Sequence, residues 1–162
     1  MKKILLAITL LCASIMFSQT SVCSNFHRKF CVVKAERGDN TEWMYNAQSK
    51  SGLFTQGTTS KIRCVIYKGM DYRINVCCET SLGEKLNYKI FDARTSELLF
   101  DNATTENDPL FEFQSTSTRQ LYIEVTVPVG ETSKDKHKPV EAACVGLLIE
   151  HKVTEKQGFS QY

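Results

Sequence analysis

The sequence predicts a mainly β protein: an antiparallel, jelly-roll-like sandwich of about eight short strands, stapled by disulfides, with a short N-terminal helix. Three observations predict it. Segment after segment alternates apolar and polar residues with the period of a strand. Turn residues interrupt those segments roughly every 8–12 residues, the rhythm of a sandwich. Seven cysteines occur in the 162 residues, and six remain once the leader, with Cys12, is set aside. An even number of cysteines in an exported chain is most simply a set of disulfides.

The leader is read from its three parts. Met1-Lys2-Lys3 is a positive start, Ile4 to Phe17 is an apolar run short for a bilayer span, and Phe17-Ser18-Gln19 places a small residue before a polar one. This predicts a signal peptide over 1–18, of the Gram-negative type cut before glutamine. A single domain is then expected over 19–154 and a loose tail over 155–162. Cys12 follows Leu11, where a lipoprotein leader carries a small residue, so a lipid anchor is the weaker reading. The expected location is periplasmic or secreted, with no membrane span after cleavage. Loss of Lys2 and Lys3 takes the 20 basic residues to 18, level with the 18 acidic ones. A chain without net charge offers nothing to nucleic acid or to an anionic membrane.

In chain order, Thr20 to Glu36 carries the best helical pattern, with Val22, Phe26, Phe30 and Val33 on one stripe. Cys23 and Cys31 would stand about 12 Å apart on one continuous helix, beyond the roughly 7 Å that a disulfide spans. Either the segment bends or each cysteine bonds another part of the protein, and the second is the expected reading, a short helix pinned to the sandwich. Asn40 to Phe54 reads as an interrupted edge strand containing the only tryptophan, Trp43. Lys61 to Cys78 reads as a hairpin. Ile62, Cys64 and Ile66 alternate on one arm and Tyr72, Ile74, Val76 and Cys78 on the other, with Gly69 in the turn. That pairing would set Ile66 against Tyr72 and Ile62 against Val76. Strands follow at Lys85–Asp92, Glu97–Asp101, Leu110–Gln114 and Arg119–Val127. Val140 to His151 is apolar enough for either a helix or a strand, and the Val145-Leu147-Ile149 alternation around Gly146 favours a strand. Adjacent Cys77 and Cys78 point to opposite faces of their strand, one toward the sandwich and one toward a covering segment. Cys23, Cys31, Cys64, Cys77, Cys78 and Cys144 are all disulfide candidates, and six cysteines permit 15 pairings.

With the segments Asp71-Tyr72-Arg73-Ile74, Lys89-Ile90-Phe91-Asp92 and Leu121-Tyr122-Ile123-Glu124-Val125 in view, the chain resembles bacterial pre-peptidase C-terminal β-sandwich domains. It also resembles small exported bacterial proteins. The first resemblance covers less than half of the chain. It implies an accessory or binding role in place of catalysis. The N-terminal helix and the cysteines depart from that pattern.

The residues offer little for catalysis. His27, His137 and His151 lack the spacing of metal ligands. No G-x-S-x-G elbow and no C-x-x-C are present. Asp101 to Asp108, DNATTEND, holds oxygen donors without calcium-loop spacing, and its Asn102-Ala103-Thr104 matches a glycosylation sequon. The Lys134 to Lys138 run reads as a solvated loop. No cofactor is expected. Trp43, Tyr45 and Gln48 are the candidate ligand surface, because aromatic faces beside an amide suit sugars and extended peptides. The expected function is an exported, non-catalytic module binding a glycan, a peptide or an envelope protein. The alternatives are a small secreted hydrolase, a protease inhibitor, or a structural subunit of an envelope assembly.

Overall fold

A computed structural model describes residues 22–33, 43–82, 85–129 and 142–154. The leader, the Lys134–Lys138 run with His137, and the tail lie outside the described residues. One helix and nine strands are described: α1 (Phe26–Phe30), β1 (Met44–Tyr45), β2 (Lys50–Thr55), β3 (Thr59–Ile66), β4 (Met70–Cys78), β5 (Asn87–Asp92), β6 (Leu98–Asp101), β7 (Leu110–Ser115), β8 (Arg119–Thr126) and β9 (Ala142–Val153). They form two antiparallel sheets. In sheet A, β9 pairs with β1 and β2 on one side and with β4 on the other, and β4 pairs with β7. Sheet B runs β3-β8-β5-β6. The fold is the predicted disulfide-stapled antiparallel sandwich with a short helix.

The predicted β3–β4 hairpin does not exist. β3 pairs with β8 in sheet B and β4 pairs with β9 and β7 in sheet A. The Tyr67–Gly69 link therefore passes from one sheet to the other. Gly69 does take the left-handed conformation expected of it, at φ +79°, and the Tyr67 N–H donates to the Tyr72 hydroxyl at 2.9 Å. The physical reason for the error is that strand alternation fixes which side chains face inward and says nothing of which strand lies alongside. Cys64, Ile66, Tyr72, Ile74 and Val76 are all buried as the alternation demands, but they meet from opposite sheets across the core. Only β5 and β6 are both consecutive and paired with each other within sheet B.

The core fills the space between the sheets with Tyr72, Ile74 and Val76 from β4, Tyr88 and Ile90 from β5, Leu121, Ile123 and Val125 from β8, and Val145, Leu147 and Ile149 from β9. β9 is a strand, and its ambiguity in the sequence has a structural cause. Ala143 through Ile149 are buried at every position, and Gly146 lies under the helix. A strand covered on both faces reads as an unbroken apolar run.

The helix is shorter than its periodicity predicts. It spans five residues, Phe26 is buried, and Val22 and Phe30 stand 88% and 65% exposed. What holds so short a helix is covalent: Cys23 bonds Cys144 of β9 and Cys31 bonds Cys77 of β4. The two cysteines do bond elsewhere, as the spacing argument requires. Cys64 and Cys78 lie outside these two bridges. Cys64 faces the core, where burial pushes its thiol up to about 12, so this disulfide candidate is an inert core residue.

Candidate functional site

The outer face of sheet A divides into a covered half and an open half. α1 lies over the half around Gly146. The open half is built from outward positions of four neighbouring strands. Register places Tyr45 opposite Glu150, Glu150 opposite Arg73, and Arg73 opposite Glu112, giving one row across β1, β9, β4 and β7. The next row is Lys152, Asp71 and Gln114. Trp43, just before β1, lies against both rows. The Arg73 guanidinium carbon is 4.4 Å from its ring centroid and the Lys152 ammonium is 4.8 Å away. Beside the ring is an open depression of about 390 Å³ lined by Trp43, Asp71, Glu112, Gln114, Lys152 and Thr154.

These side chains hold one another in place. Arg73 Nε donates to Glu112 Oε1 at 2.6 Å, and the Thr154 hydroxyl donates to Asp71 Oδ1 at 2.7 Å. Glu150 sits in the middle of its row, where burial raises its pKa against the opposing pull of Arg73, and Glu112 adds to the rise. The ring of Trp43 is thus a platform set on two cations and edged by carboxylates.

Tyr45 joins this platform to the helix. The Arg28 guanidinium carbon lies 3.9 Å over the Tyr45 ring, and the Tyr45 hydroxyl is 3.1 Å from His27 Nε2. His27 Nδ1 is 2.6 Å from Ser51 Oγ, which also accepts the His27 backbone N–H at 2.9 Å. Asn25, the residue preceding the helix, makes no side-chain cap, so β2 supplies through Ser51 an acceptor that the helix start lacks. Burial lowers the His27 pKa first, and Arg28 and Lys50 lower it further, all of which favour the neutral imidazole. A hydroxyl beside an imidazole is also the contact of a serine nucleophile with its base. Here the second ring nitrogen meets a tyrosine hydroxyl in place of the carboxylate that orients a catalytic imidazole.

Of the three residues expected to form a ligand surface, Trp43 and Tyr45 stand on this face. Gln48 is committed elsewhere. Its Nε2 donates to Val65 O at 2.9 Å and its Oε1 accepts the Val65 N–H at 2.7 Å. This pairing closes part of the free edge of β3 and ties the amide to the strand backbone. Arg73, Lys152, Glu112, Asp71 and Arg28 were missed by sequence reasoning. They come from β4, β9, β7 and α1, and the only signal for them was the outward parity of Asp71 and Arg73 on their strand.

The loop over Asp101 to Asp108 is spent on its own backbone. Asp101 accepts the Ala103 N–H and pairs with Lys89, and Asp108 accepts the Leu110 N–H. Asn102 is fully buried, accepting from the Tyr88 N–H at 2.8 Å and donating to Leu86 O at 2.9 Å, so the sequon presents no accessible amide. Among the described residues no three His, Cys, Asp or Glu side chains gather as metal ligands.

The fold and face together define an antiparallel β-sandwich whose helical cap is sulfur-linked to one sheet. No family model and no curated protein matches the chain. Among solved structures it is similar to PliG of Aeromonas hydrophila, a periplasmic lysozyme inhibitor of g-type lysozyme. The identity is 14%, the match covers 74% of this chain and 93% of that one, and the TM-score is 0.48. A likeness of this degree says nothing of what this chain binds.

Proposed function

We propose that the chain is an exported, non-catalytic binding module that docks a protein partner on the open half of sheet A. One observation carries this reading: Trp43 laid over Arg73 and Lys152, beside Tyr45 stacked with Arg28. Trp, Tyr and Arg are the side chains that most often dominate protein–protein affinity, and here Tyr45 and Arg73 stand on strands, with Trp43 just before β1 and Arg28 on α1. Alternating carboxylates around them give the face a charge pattern that a partner can complement and so be selected by. The two disulfides suit an oxidising compartment. The test is capture of envelope and secreted proteins on the immobilised chain. Wild type is expected to retain a stoichiometric partner, and Trp43→Ala to weaken it by about 2 kcal/mol or more, roughly thirtyfold. Equal capture by the variant overturns the proposal, as does displacement by soluble glycan alone. If the captured partner is a hydrolase whose activity falls on mixing, the module is an inhibitor.

The Ser51–His27 contact favours a second reading, a small serine hydrolase. Covalent labelling of Ser51 by a fluorophosphonate, lost in His27→Gln, would establish it.

A further inference from the structure

Protein interiors rarely leave voids larger than a water molecule. Between β7 of sheet A and strands β5, β6 and β8 of sheet B, this one leaves an open cavity of about 210 Å³. Its lining is mostly hydrocarbon: Ile66, Ile90 and Leu121 from the core, with Leu99, Phe111 and Phe113 around them. The aromatic wall is held from behind and cannot fold inward to fill the space. Phe111 stacks on Phe100 with ring centroids 3.8 Å apart and on Phe113 at 5.3 Å, and Phe113 stacks on Tyr72 at 5.7 Å. An apolar cavity of about 150 Å³ lined by the same residue types takes up benzene. This one is larger, and it opens to solvent beside Leu99, which is 40% exposed.

One charged side chain lines the cavity among the described residues, that of Arg119. Arg119 has the inward parity of Leu121 on β8 and stands opposite Ile66 of β3. Asp92 answers only part of its charge. Arg119 Nη1 is 3.6 Å from Asp92 Oδ2, too far for a hydrogen bond, and Asp92 Oδ1 already accepts the N–H groups of Arg94 and Thr95. Of the five N–H groups of a guanidinium, the one on Nε donates to Ser117 Oγ at 2.9 Å. Arg119 also lines a wider depression of about 900 Å³, together with Arg63, Arg94 and Asp92. It therefore stands where an apolar cavity meets a surface carrying three arginines against one carboxylate.

We propose that this cavity binds a small carboxylate with an apolar body. The body rests on Ile66, Leu99, Phe111 and Leu121, and the carboxylate accepts from the Arg119 guanidinium at the mouth. An ammonium of the same shape would be repelled by the arginines, and a neutral ligand would forgo the charged hydrogen bond. The same chemistry occurs in short fatty acids and in aryl acids, and the test separates them. Hexanoate, phenylpropionate, phenylpropanol and acetate are titrated separately into the mature, disulfide-intact chain, with the Ile66, Leu99 and Leu121 methyl resonances as readout. At least one apolar acid is expected to shift these methyls where acetate does not, and the tighter of the two assigns the aliphatic or the aryl class. Phenylpropanol is expected to bind about tenfold more weakly than phenylpropionate, the worth of one hydrogen bond to a charged group. Arg119→Gln is expected to abolish that preference while binding the alcohol as wild type does, a result that an unfolded variant cannot give. Methyls that move with neither acid overturn the proposal, and the wild-type titrations decide this without the variant. So does an alcohol that binds as tightly as its acid, or a preference for the acid that persists in Arg119→Gln. Equal shifts with acetate would mean an adventitious ion only, and overturn it too.

Discussion

Gly146 determines how the helix sits. A Cβ on it would come 2.5 Å from Cys31 Sγ and 2.9 Å from the His27 Cα, and the second of these is backbone, which cannot rotate aside. Gly146→Ala is therefore expected to lift α1 and cost about 1–3 kcal/mol by denaturant unfolding, the range for overfilling a packed contact. Faster reduction of Cys31–Cys77 should accompany it, and a variant as stable as wild type would show the contact to be soft. At this scale the sequence is uneven in what it reveals. Gly146 marks β9 as a strand, but its need for glycine comes from Cys31 and His27, more than a hundred positions earlier. Trp43 and Tyr45 stand out by residue type alone. Gln48 stands out equally and is occupied, because Val65, which takes both ends of its amide, is invisible from its neighbourhood.

α1 is an element held by links instead of by its own length. Five residues are too few for a helix to persist on backbone hydrogen bonds alone. Its docking rests on Cys23, Cys31, Phe26 and the His27 bonds to Ser51 and Tyr45. That makes part of its stability depend on pH. The His27 pKa is lowered from its ordinary 6.5 by burial, with Arg28 and Lys50 adding to the effect. The unfolded chain therefore takes up this proton more readily than the folded one. The contribution of His27 is whole above pH 6.5, declines below it, and is gone once the pH passes the lower folded value. The thermal midpoint of wild type is expected to fall more steeply between pH 7 and 5 than that of His27→Gln, and parallel slopes would refute this. Glu150 acts in the opposite sense: its raised pKa means that the fold gains relative stability as pH drops toward 4.5. Because both proteins in the comparison keep Glu150, the difference in slope isolates the histidine. The helix stripe in the sequence overstated this element. Val22 and Phe30 have helical spacing, but the bonded cysteines, not the stripe, decide how the segment docks.

For the whole molecule, the two bridges constrain most of the described chain. They close separations of 121 and 46 residues, and long closures take the most freedom from the unfolded chain. The paired variant Cys23→Ala with Cys144→Ala is expected to lower unfolding stability by about 2–5 kcal/mol while far-ultraviolet dichroism remains that of strands. Collapse of the strand signal at 25 °C would mean that the sheets cannot stand without this bond. Fold class was legible because alternation reports burial, and burial is what a sandwich imposes on every strand. Strand order was not, because apart from β5 and β6 no consecutive described strands pair: every strand from β2 to β9 lies in the opposite sheet from the strand before it or the strand after it.

That wiring governs the moment at which the molecule can first exist. β1, β2 and β4 all rest on β9, whose residues are 142–153, so sheet A cannot assemble while those residues are still to arrive. Sheet B is complete by Thr126 but has one greasy side bare until then. A chain threaded from its front end through a narrow conduit would carry no finished sandwich to obstruct the passage. It would snap shut only on the far side, where its sulfurs can also be oxidised.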